Sequence, residues 1–171
     1  SIVRGTTLEK KILKMLDRLG PKKIVIVSSA PQIRFPDCYG IDMSKMQEFV
    51  AFRAVLKLLE ENDMNYLKEE VYTQCVSALA SKNADSANFA KALYEPFTYD
   101  EISDRVAEIV KPDDLKAKLS VVYQTVDNLH KACPDHKGDW YFTGDYPTEG
   151  GNRTVNRAFV NFYEGRKVRA Y

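Results

Sequence analysis

The sequence predicts an α/β fold built around a parallel β-sheet. Residues 24–27 are all β-branched with no polar alternation, a pattern typical of a strand that helices bury on both faces. An amphipathic helix precedes this strand, and residues 119–123 form a second strand-like run. A loop, a helix and a strand in that order make the second half of a βαβ unit, in which the two strands are parallel.

Composition places the chain among soluble globular proteins of one domain. Its 171 residues are 44% hydrophobic and 29% charged, and a net charge of +1 predicts neither nucleic acid nor a membrane surface as a partner. No apolar run approaches the roughly 20 residues of a membrane-spanning helix. The cysteines Cys38, Cys75 and Cys133 are odd in number and far apart, which predicts reduced thiols in a cytoplasmic protein.

The first seven residues form a loop that leads into the first helix. Thr6 and Thr7 follow Gly5, and the helix then carries an apolar face formed by Leu8, Ile12, Met15, Leu16 and Leu19. Free N–H groups at a helix N-terminus, together with an arginine and short hydroxyls, suit a phosphate group. Glu9, three residues after Thr6, also allows a capping box, which the spacing alone favours. The two interpretations are compatible.

Cap signals and apolar periodicity predict the later helices. Ser44-x-x-Gln47 and Thr98-x-x-Glu101 are two further capping boxes, and Thr125 is suited to cap a short helix after the second strand. Apolar periodicity predicts further helices at residues 67–79, 85–95 and 152–164. Residues 28–32 leave the first strand at the edge of the sheet where α/β proteins bind ligands.

His130, Cys133 and His136 are spaced three residues apart, which suggests metal ligands. Zinc sites need four ligands, and no second cluster supplies the fourth. Pro134 also interrupts any shared helical face. We therefore predict two surface histidines and a partly buried thiol.

The C-terminal segment combines basic and aromatic residues. The basic residues are Arg153, Arg157, Arg166, Lys167 and Arg169, and the aromatic ones are Phe159, Phe162 and Tyr163. Such interleaving occurs in single-strand binders, but these aromatics fall at the spacing of a helix core face. We predict core packing with a solvated basic rim.

The opening residues Ser1-Ile2-Val3-Arg4-Gly5-Thr6-Thr7 resemble the phosphoribosyl-pyrophosphate loop of type I phosphoribosyltransferases. More narrowly, they resemble the loop of glutamine phosphoribosylpyrophosphate amidotransferases, also called amidophosphoribosyltransferases. Residues 29–36, 39–43 and 142–149 are similar to later blocks of that family, in the same order, and residues 99–108 and 121–129 fit weaker segments between them. Residues from about 53 to 97 have no counterpart and are expected to be a helical insertion. The whole chain would then be the C-terminal part of one phosphoribosyltransferase domain, with residues from about 134 to 171 as its C-terminal segment.

The resemblance implies an enzyme of de novo purine synthesis. That enzyme transfers glutamine-derived ammonia to C1 of phosphoribosyl pyrophosphate, giving 5-phosphoribosylamine and pyrophosphate. Ser1, Arg4, Gly5, Thr6 and Thr7 would hold the 5′-phosphate, with Gly5 closest to it because a Cβ there would block the approach. Mg²⁺ is expected to accompany the phosphoribosyl pyrophosphate and to neutralise the leaving group. The full-length protein is expected to be a homo-oligomer in the cytoplasm.

Parts of the family pattern have no match in this sequence. The family has two acidic residues just before the loop, which hold the ribose hydroxyls, and a glutaminase half. We therefore expect no catalytic or metal-binding residue within the chain and no phosphoribosylamine formation by the chain alone. One branch of the family binds a [4Fe–4S] cluster through cysteines, but the corresponding positions here are Asp37, Gly138 and Tyr141, so no cluster is expected.

Two other functions stay open from the sequence alone. A salvage-type phosphoribosyltransferase shares the opening loop but should lack the blocks at residues 39–43 and 142–149. A non-catalytic helical interaction module would use the loop only as the start of a helix. Binding of ribose 5-phosphate distinguishes both enzyme classes from the interaction module.

Overall fold

The structure is a computed structural model that describes residues 2–38, 43–81, 87–136 and 138–171. The first helix, α1, has π-type hydrogen bonding over Leu8–Ile12 and continues as an α-helix over Leu13–Asp17. The other elements follow in the order β1 (Lys23–Ser28), α2 (Val50–Glu61), α3 (Tyr66–Ala80), α4 (Tyr99–Val110), β2 (Lys118–Tyr123), α5 (Val126–Ala132), α6 (Trp140–Thr143) and α7 (Glu149–Tyr163). Short 3₁₀ turns at Met46–Glu48 and Phe89–Leu93 precede α2 and α4.

The two strands pair in parallel, which confirms the predicted α/β class. Ile24 lies opposite Leu119 and Val27 lies opposite Val122. The chain between them passes through α2, α3 and α4, as a parallel pair requires a long crossover. Both strands therefore end at the same edge of the sheet.

The predicted burial of the first strand on both faces is wrong for the residues that the structure describes. Ile24 is buried, but Val25 and Val27 are 48% and 72% exposed, and Val122 on the partner strand is 49% exposed. Successive strand residues point to opposite faces, so these valines share one face. The described helices leave that face open.

Two of the cap signals are confirmed. The Thr98 hydroxyl accepts the Glu101 N–H at 3.2 Å, and the Glu101 carboxylate accepts the Thr98 N–H at 2.7 Å. Thr125 caps α5 by accepting the Asn128 N–H at 3.1 Å. The last helix begins at Glu149, earlier than predicted, and its first turn is capped by Thr148.

The helix start predicted at Ser44 is wrong. A 3₁₀ turn follows at Met46–Glu48, and α2 begins only at Val50 after an extended Phe49. The Val50 N–H donates to the Val3 carbonyl at 2.7 Å, so a distant backbone group takes the place of a local cap. The helix start predicted at Asp85 lies outside the described residues.

The core lies between the sheet and the helices α2, α4 and α7. Phe52 of α2 meets the Phe159 ring edge-on with centroids 6.3 Å apart, and the Phe162 ring at 4.9 Å. Phe159 is fully buried, which confirms its predicted core role, whereas the prediction is wrong for Tyr163, which is 41% exposed and stacks on Tyr72 of α3 at the surface. Among the described residues, no helix is long and apolar enough to cross a membrane.

Candidate functional site

The loop before α1 and the carboxyl end of β1 line one cavity of about 610 Å³. The loop and α1 contribute Ile2, Val3, Arg4, Gly5, Thr6, Thr7, Leu8 and Ile12, and the strand end contributes Ile26, Val27, Ser28 and Ser29. The structure therefore brings the predicted residues Arg4, Gly5, Thr6 and Thr7 to one site, whereas Ser1 lies outside the described residues. Open α/β sheets bind ligands at this end of their strands.

Gly5 turns the backbone from the loop into the helix. Its φ is +77°, and its carbonyl accepts the Glu9 N–H at 3.1 Å. A Cβ at this position would lie 2.5 Å from Val110 Cγ1 of α4 and 3.6 Å from Val50 Cγ2 of α2. The residue must be glycine because the loop packs tightly on the core, a reason that differs from the predicted close approach to a phosphate.

Thr6 and Thr7 lie in the first turn of the helix, and both are exposed. The capping box predicted between Thr6 and Glu9 is wrong, because the Glu9 N–H donates to Gly5 instead. Neither hydroxyl makes a hydrogen bond to any residue in the described part of the chain. The N–H groups of this first turn also have no intrahelical acceptor, by the geometry of a helix. Hydroxyls and amides are thus both available to a ligand in the cavity.

Arg4 forms an ion pair with Glu48, which lies in the 3₁₀ turn before α2. Glu48 also lies 3.7 Å from the Lys45 ammonium. The neighbouring Val3 carbonyl accepts the Val50 N–H. The ion pair and the backbone hydrogen bond both hold the loop to the start of α2. Sequence reasoning missed Glu48, because nothing in the local pattern pairs it with Arg4.

Ser28 and Ser29 line the cavity at the end of β1. The Ser28 hydroxyl donates to the Ala30 carbonyl at 2.8 Å and accepts the Ala30 N–H at 3.3 Å, which fixes the turn after β1. Sequence reasoning placed this turn at the ligand-binding edge of the sheet but did not include either serine among the site residues. Their position directly after the strand was the available signal.

The histidines and cysteines do not gather into a site. His130 Nε2 lies 2.8 Å from the Asp139 carboxylate, and the described residues contain no group of three or more His, Cys, Asp or Glu suited to a metal ion. Asp37 stands at a position where one branch of the resembled family has a [4Fe–4S] ligand. Here its carboxylate accepts the Trp140 indole N–H at 2.6 Å.

All three cysteines are free thiols. Cys133, predicted to be partly buried, is exposed, because the end of α5 carries no buried residue. Cys75 is buried, and burial raises its pKa to about 12. A hydrogen bond with Asp37 raises the pKa of Cys38.

Comparison with known proteins identifies similar sequences. An amidophosphoribosyltransferase of Escherichia coli (strain K12) is 36% identical over 95 residues, which are 55% of this chain and 19% of that protein. Amidophosphoribosyltransferases of Haemophilus influenzae and Pasteurella multocida are each 52% identical over 52 residues, 30% of this chain and 10% of theirs. This chain is similar to a segment of amidophosphoribosyltransferases. The resemblance seen in the sequence is thereby confirmed.

The similarity covers only part of those proteins. The chain spans less than a fifth of the length of the curated relatives it matches. No family model matches the chain, and no solved structure matches it.

Proposed function

We propose that this chain is part of an amidophosphoribosyltransferase, which transfers glutamine-derived ammonia to C1 of phosphoribosyl pyrophosphate. The observation that carries the proposal is the cavity at the carboxyl end of β1. In a chain similar to amidophosphoribosyltransferases, the loop that resembles their phosphate loop opens a helix at this cavity. A helix N-terminus at the ligand-binding edge of an α/β sheet is suited to an anion.

In this proposal the 5′-phosphate of the ribosyl group lies against the first turn of α1. The N–H groups of Thr6, Thr7 and Leu8 donate to its oxygens, and the two threonine hydroxyls add donors at the same face. Gly5 sets the direction of this turn through its positive φ. Arg4 and Ser1 stay within the proposed site, with Arg4 oriented by Glu48.

The cavity has the chemistry of an anion site and not of a cation site. Among the described residues, its lining supplies hydroxyls, backbone amides and one arginine, but no carboxylate. Mg²⁺ prefers carboxylate and phosphate oxygens, so it does not fit this lining. We propose that Mg²⁺ reaches the parent enzyme bound to phosphoribosyl pyrophosphate and is held by residues other than these.

The remaining sequence expectations belong to the same proposal. Residues from about 53 to 97 form a helical insertion in one phosphoribosyltransferase domain, and the parent protein is a cytoplasmic homo-oligomer that binds no [4Fe–4S] cluster through this chain. The chain alone forms no phosphoribosylamine. It binds phosphate esters at the loop without turning them over.

Titration with ribose 5-phosphate tests the phosphate site. We expect the native chain to bind it and the double variant Thr6→Val/Thr7→Val to bind at least about tenfold more weakly, because two donors to a charged phosphate are removed. Thr73→Val is the matched control, since it removes one exposed hydroxyl on α3, whose bond is to the Glu69 carbonyl. Gly5→Val is unsuitable, because its side chain would collide with Val110.

The outcome separates the enzyme from an interaction module. Equal affinity of the native chain and the double variant, measured by isothermal titration calorimetry, would leave the loop as a helix start and contradict the proposal. Competition by inorganic phosphate shows that the phosphate group, and not the sugar, is recognised.

A further inference from the structure

A second cavity of about 750 Å³ lies where the chain after β1 meets the N-termini of α4 and α5. Arg34 lies in its wall, together with Tyr94, which follows the 3₁₀ turn Phe89–Leu93, and Tyr99 of α4. No lining residue is shared with the cavity of the phosphate loop. The proposed function therefore leaves this cavity unassigned.

The guanidinium of Arg34 lies over two aromatic rings and is hydrogen-bonded to Gln32. Its carbon lies 5.2 Å from the Tyr94 ring centroid and 5.1 Å from that of Tyr99. Its Nε and Nη2 donate to the Gln32 side-chain oxygen at 3.0 and 2.7 Å. Gln32 is itself fixed, because its amide donates to the Tyr99 carbonyl and the Ser103 hydroxyl, both at 2.9 Å.

The charge of Arg34 has no carboxylate partner in the described part of the chain. All its hydrogen bonds go to Gln32, and Nη1 has none among the described residues. The two tyrosine hydroxyls donate elsewhere, to the carbonyls of Arg34 and Gln124, both at 2.8 Å. Burial lowers the pKa of Arg34, yet a guanidinium stays protonated in proteins. A partly buried, fixed cation with a free N–H in a cavity wall favours an anionic group.

The exposed part of the same cavity carries the opposite charge. Glu95, Asp100 and Asp127 are exposed carboxylates of its lining. Lys91, the other cation of the lining, is paired with Asp145 at 2.6 Å. A doubly charged phosphate would meet three repelling carboxylates, whereas a ligand with one anionic and one cationic end is attracted by both regions.

We propose that this cavity binds a small α-amino acid with an apolar side chain. Its carboxylate pairs with the Arg34 guanidinium, and its ammonium group faces the carboxylates of Glu95, Asp100 and Asp127. Its apolar side chain packs on the aromatic part of the lining, which includes Phe97 and Phe142. A lining that combines aromatic surface with charged groups is suited to a small-molecule site.

Three probes of nearly equal shape test whether the cavity recognises both the carboxylate and the ammonium group of the ligand. L-phenylalanine carries both charges, 3-phenylpropanoate lacks the ammonium group and 2-phenylethylamine lacks the carboxylate. We expect calorimetry on the 171-residue chain to give the tightest binding for L-phenylalanine and at least about fivefold weaker binding for the other two. Equal binding of L-phenylalanine and 3-phenylpropanoate, or absence of binding by L-phenylalanine, overturns the proposal, as does tighter binding of inorganic phosphate at the same site.

Variants separate ligand binding from a structural role of Arg34. Arg34→Lys keeps the charge but loses the planar fork, so L-phenylalanine should bind at least about tenfold more weakly, while the exposed control Arg53→Lys should not change. The triple variant Glu95→Gln/Asp100→Asn/Asp127→Asn leaves Arg34 and the aromatic side chains of the lining unchanged. It should abolish the preference for L-phenylalanine over 3-phenylpropanoate. Unchanged affinity in Arg34→Lys, or a preference that survives in the triple variant, overturns the proposal.

Discussion

At the scale of single residues, two glycines hold loops against the core. Gly5 and Gly144 both have positive φ, +77° and +76°. A Cβ on Gly144 would lie 2.6 Å from the Asn88 amide nitrogen and 2.9 Å from the Phe35 ring. Both glycines lie in segments that resemble amidophosphoribosyltransferase blocks, and both are required by packing as well as by backbone conformation.

Gly5→Ala is expected to destabilise the chain by roughly 2–4 kcal/mol. The left-handed conformation costs an alanine about 1–2 kcal/mol, and overpacking against Val110 adds a similar amount. Urea unfolding measures the loss. Gly20→Ala is the matched control, since Gly20 has φ +67° with no atom within 4 Å of its missing Cβ, and should show only the conformational part. Equal losses in the two variants would show that the contact with Val110 contributes nothing.

At the scale of elements, α4 has the best-defined start among the described helices. Its capping box joins Thr98 and Glu101 through reciprocal hydrogen bonds. Those bonds to the carboxylate lower the pKa of Glu101, first through the Thr98 hydroxyl and then through the Thr98 N–H. Since α4 also supplies Val110 under the opening loop and Tyr99 beside Arg34, the position of this helix affects both cavities.

The capping box predicts a pH dependence of stability. Because the pKa of Glu101 is lower in the folded state, its contribution is fully present above the unfolded pKa of about 4.3 and is lost as the pH falls through the folded value. Glu101→Gln should reduce the slope of unfolding free energy against pH in this acidic range. Thr98→Ala removes the hydroxyl that donates to the Glu101 carboxylate, so this variant should also reduce the slope. A slope unchanged in both variants, measured by urea unfolding at several pH values, contradicts this account.

At the scale of the whole molecule, the proposed helical insertion is part of the core. Leu59 and Leu93 lie within residues 53–97 and are fully buried. The Tyr94 hydroxyl from the same segment donates to the Arg34 carbonyl. The segment therefore supports the chain that follows β1 and does not form a separate lobe.

Leu59→Ala is expected to cost roughly 2–5 kcal/mol of unfolding free energy, the usual loss for a buried leucine. Val76→Ala is the control in the same segment, because Val76 is 40% exposed and its truncation should stay within about 0.5 kcal/mol. Denaturant titration of both variants checks the difference. A loss below about 1 kcal/mol for Leu59→Ala would show that the segment packs only loosely.

Local signals predicted much of the fold. Both strands, the capping box of α4 and the cap of α5 were predicted correctly, because β-branched runs and capping side chains act over a few residues. The start of α2 was predicted too early, because its first N–H is satisfied by Val3, which no local pattern indicates. The open face of the sheet was missed for a similar reason, since an apolar run does not tell which neighbours cover it.

The sequence by itself determined the class of the fold, the order of its two strands and longer helices, and the resemblance of the opening loop to a phosphate loop. Only the tertiary structure decided that Arg4 pairs with Glu48, that Gly5 packs on Val110 and that Arg34 lies over the rings of Tyr94 and Tyr99. Periodicity and capping depend on neighbours along the chain, whereas these contacts join residues far apart in sequence. Their partners are brought together only when the helices pack on the sheet.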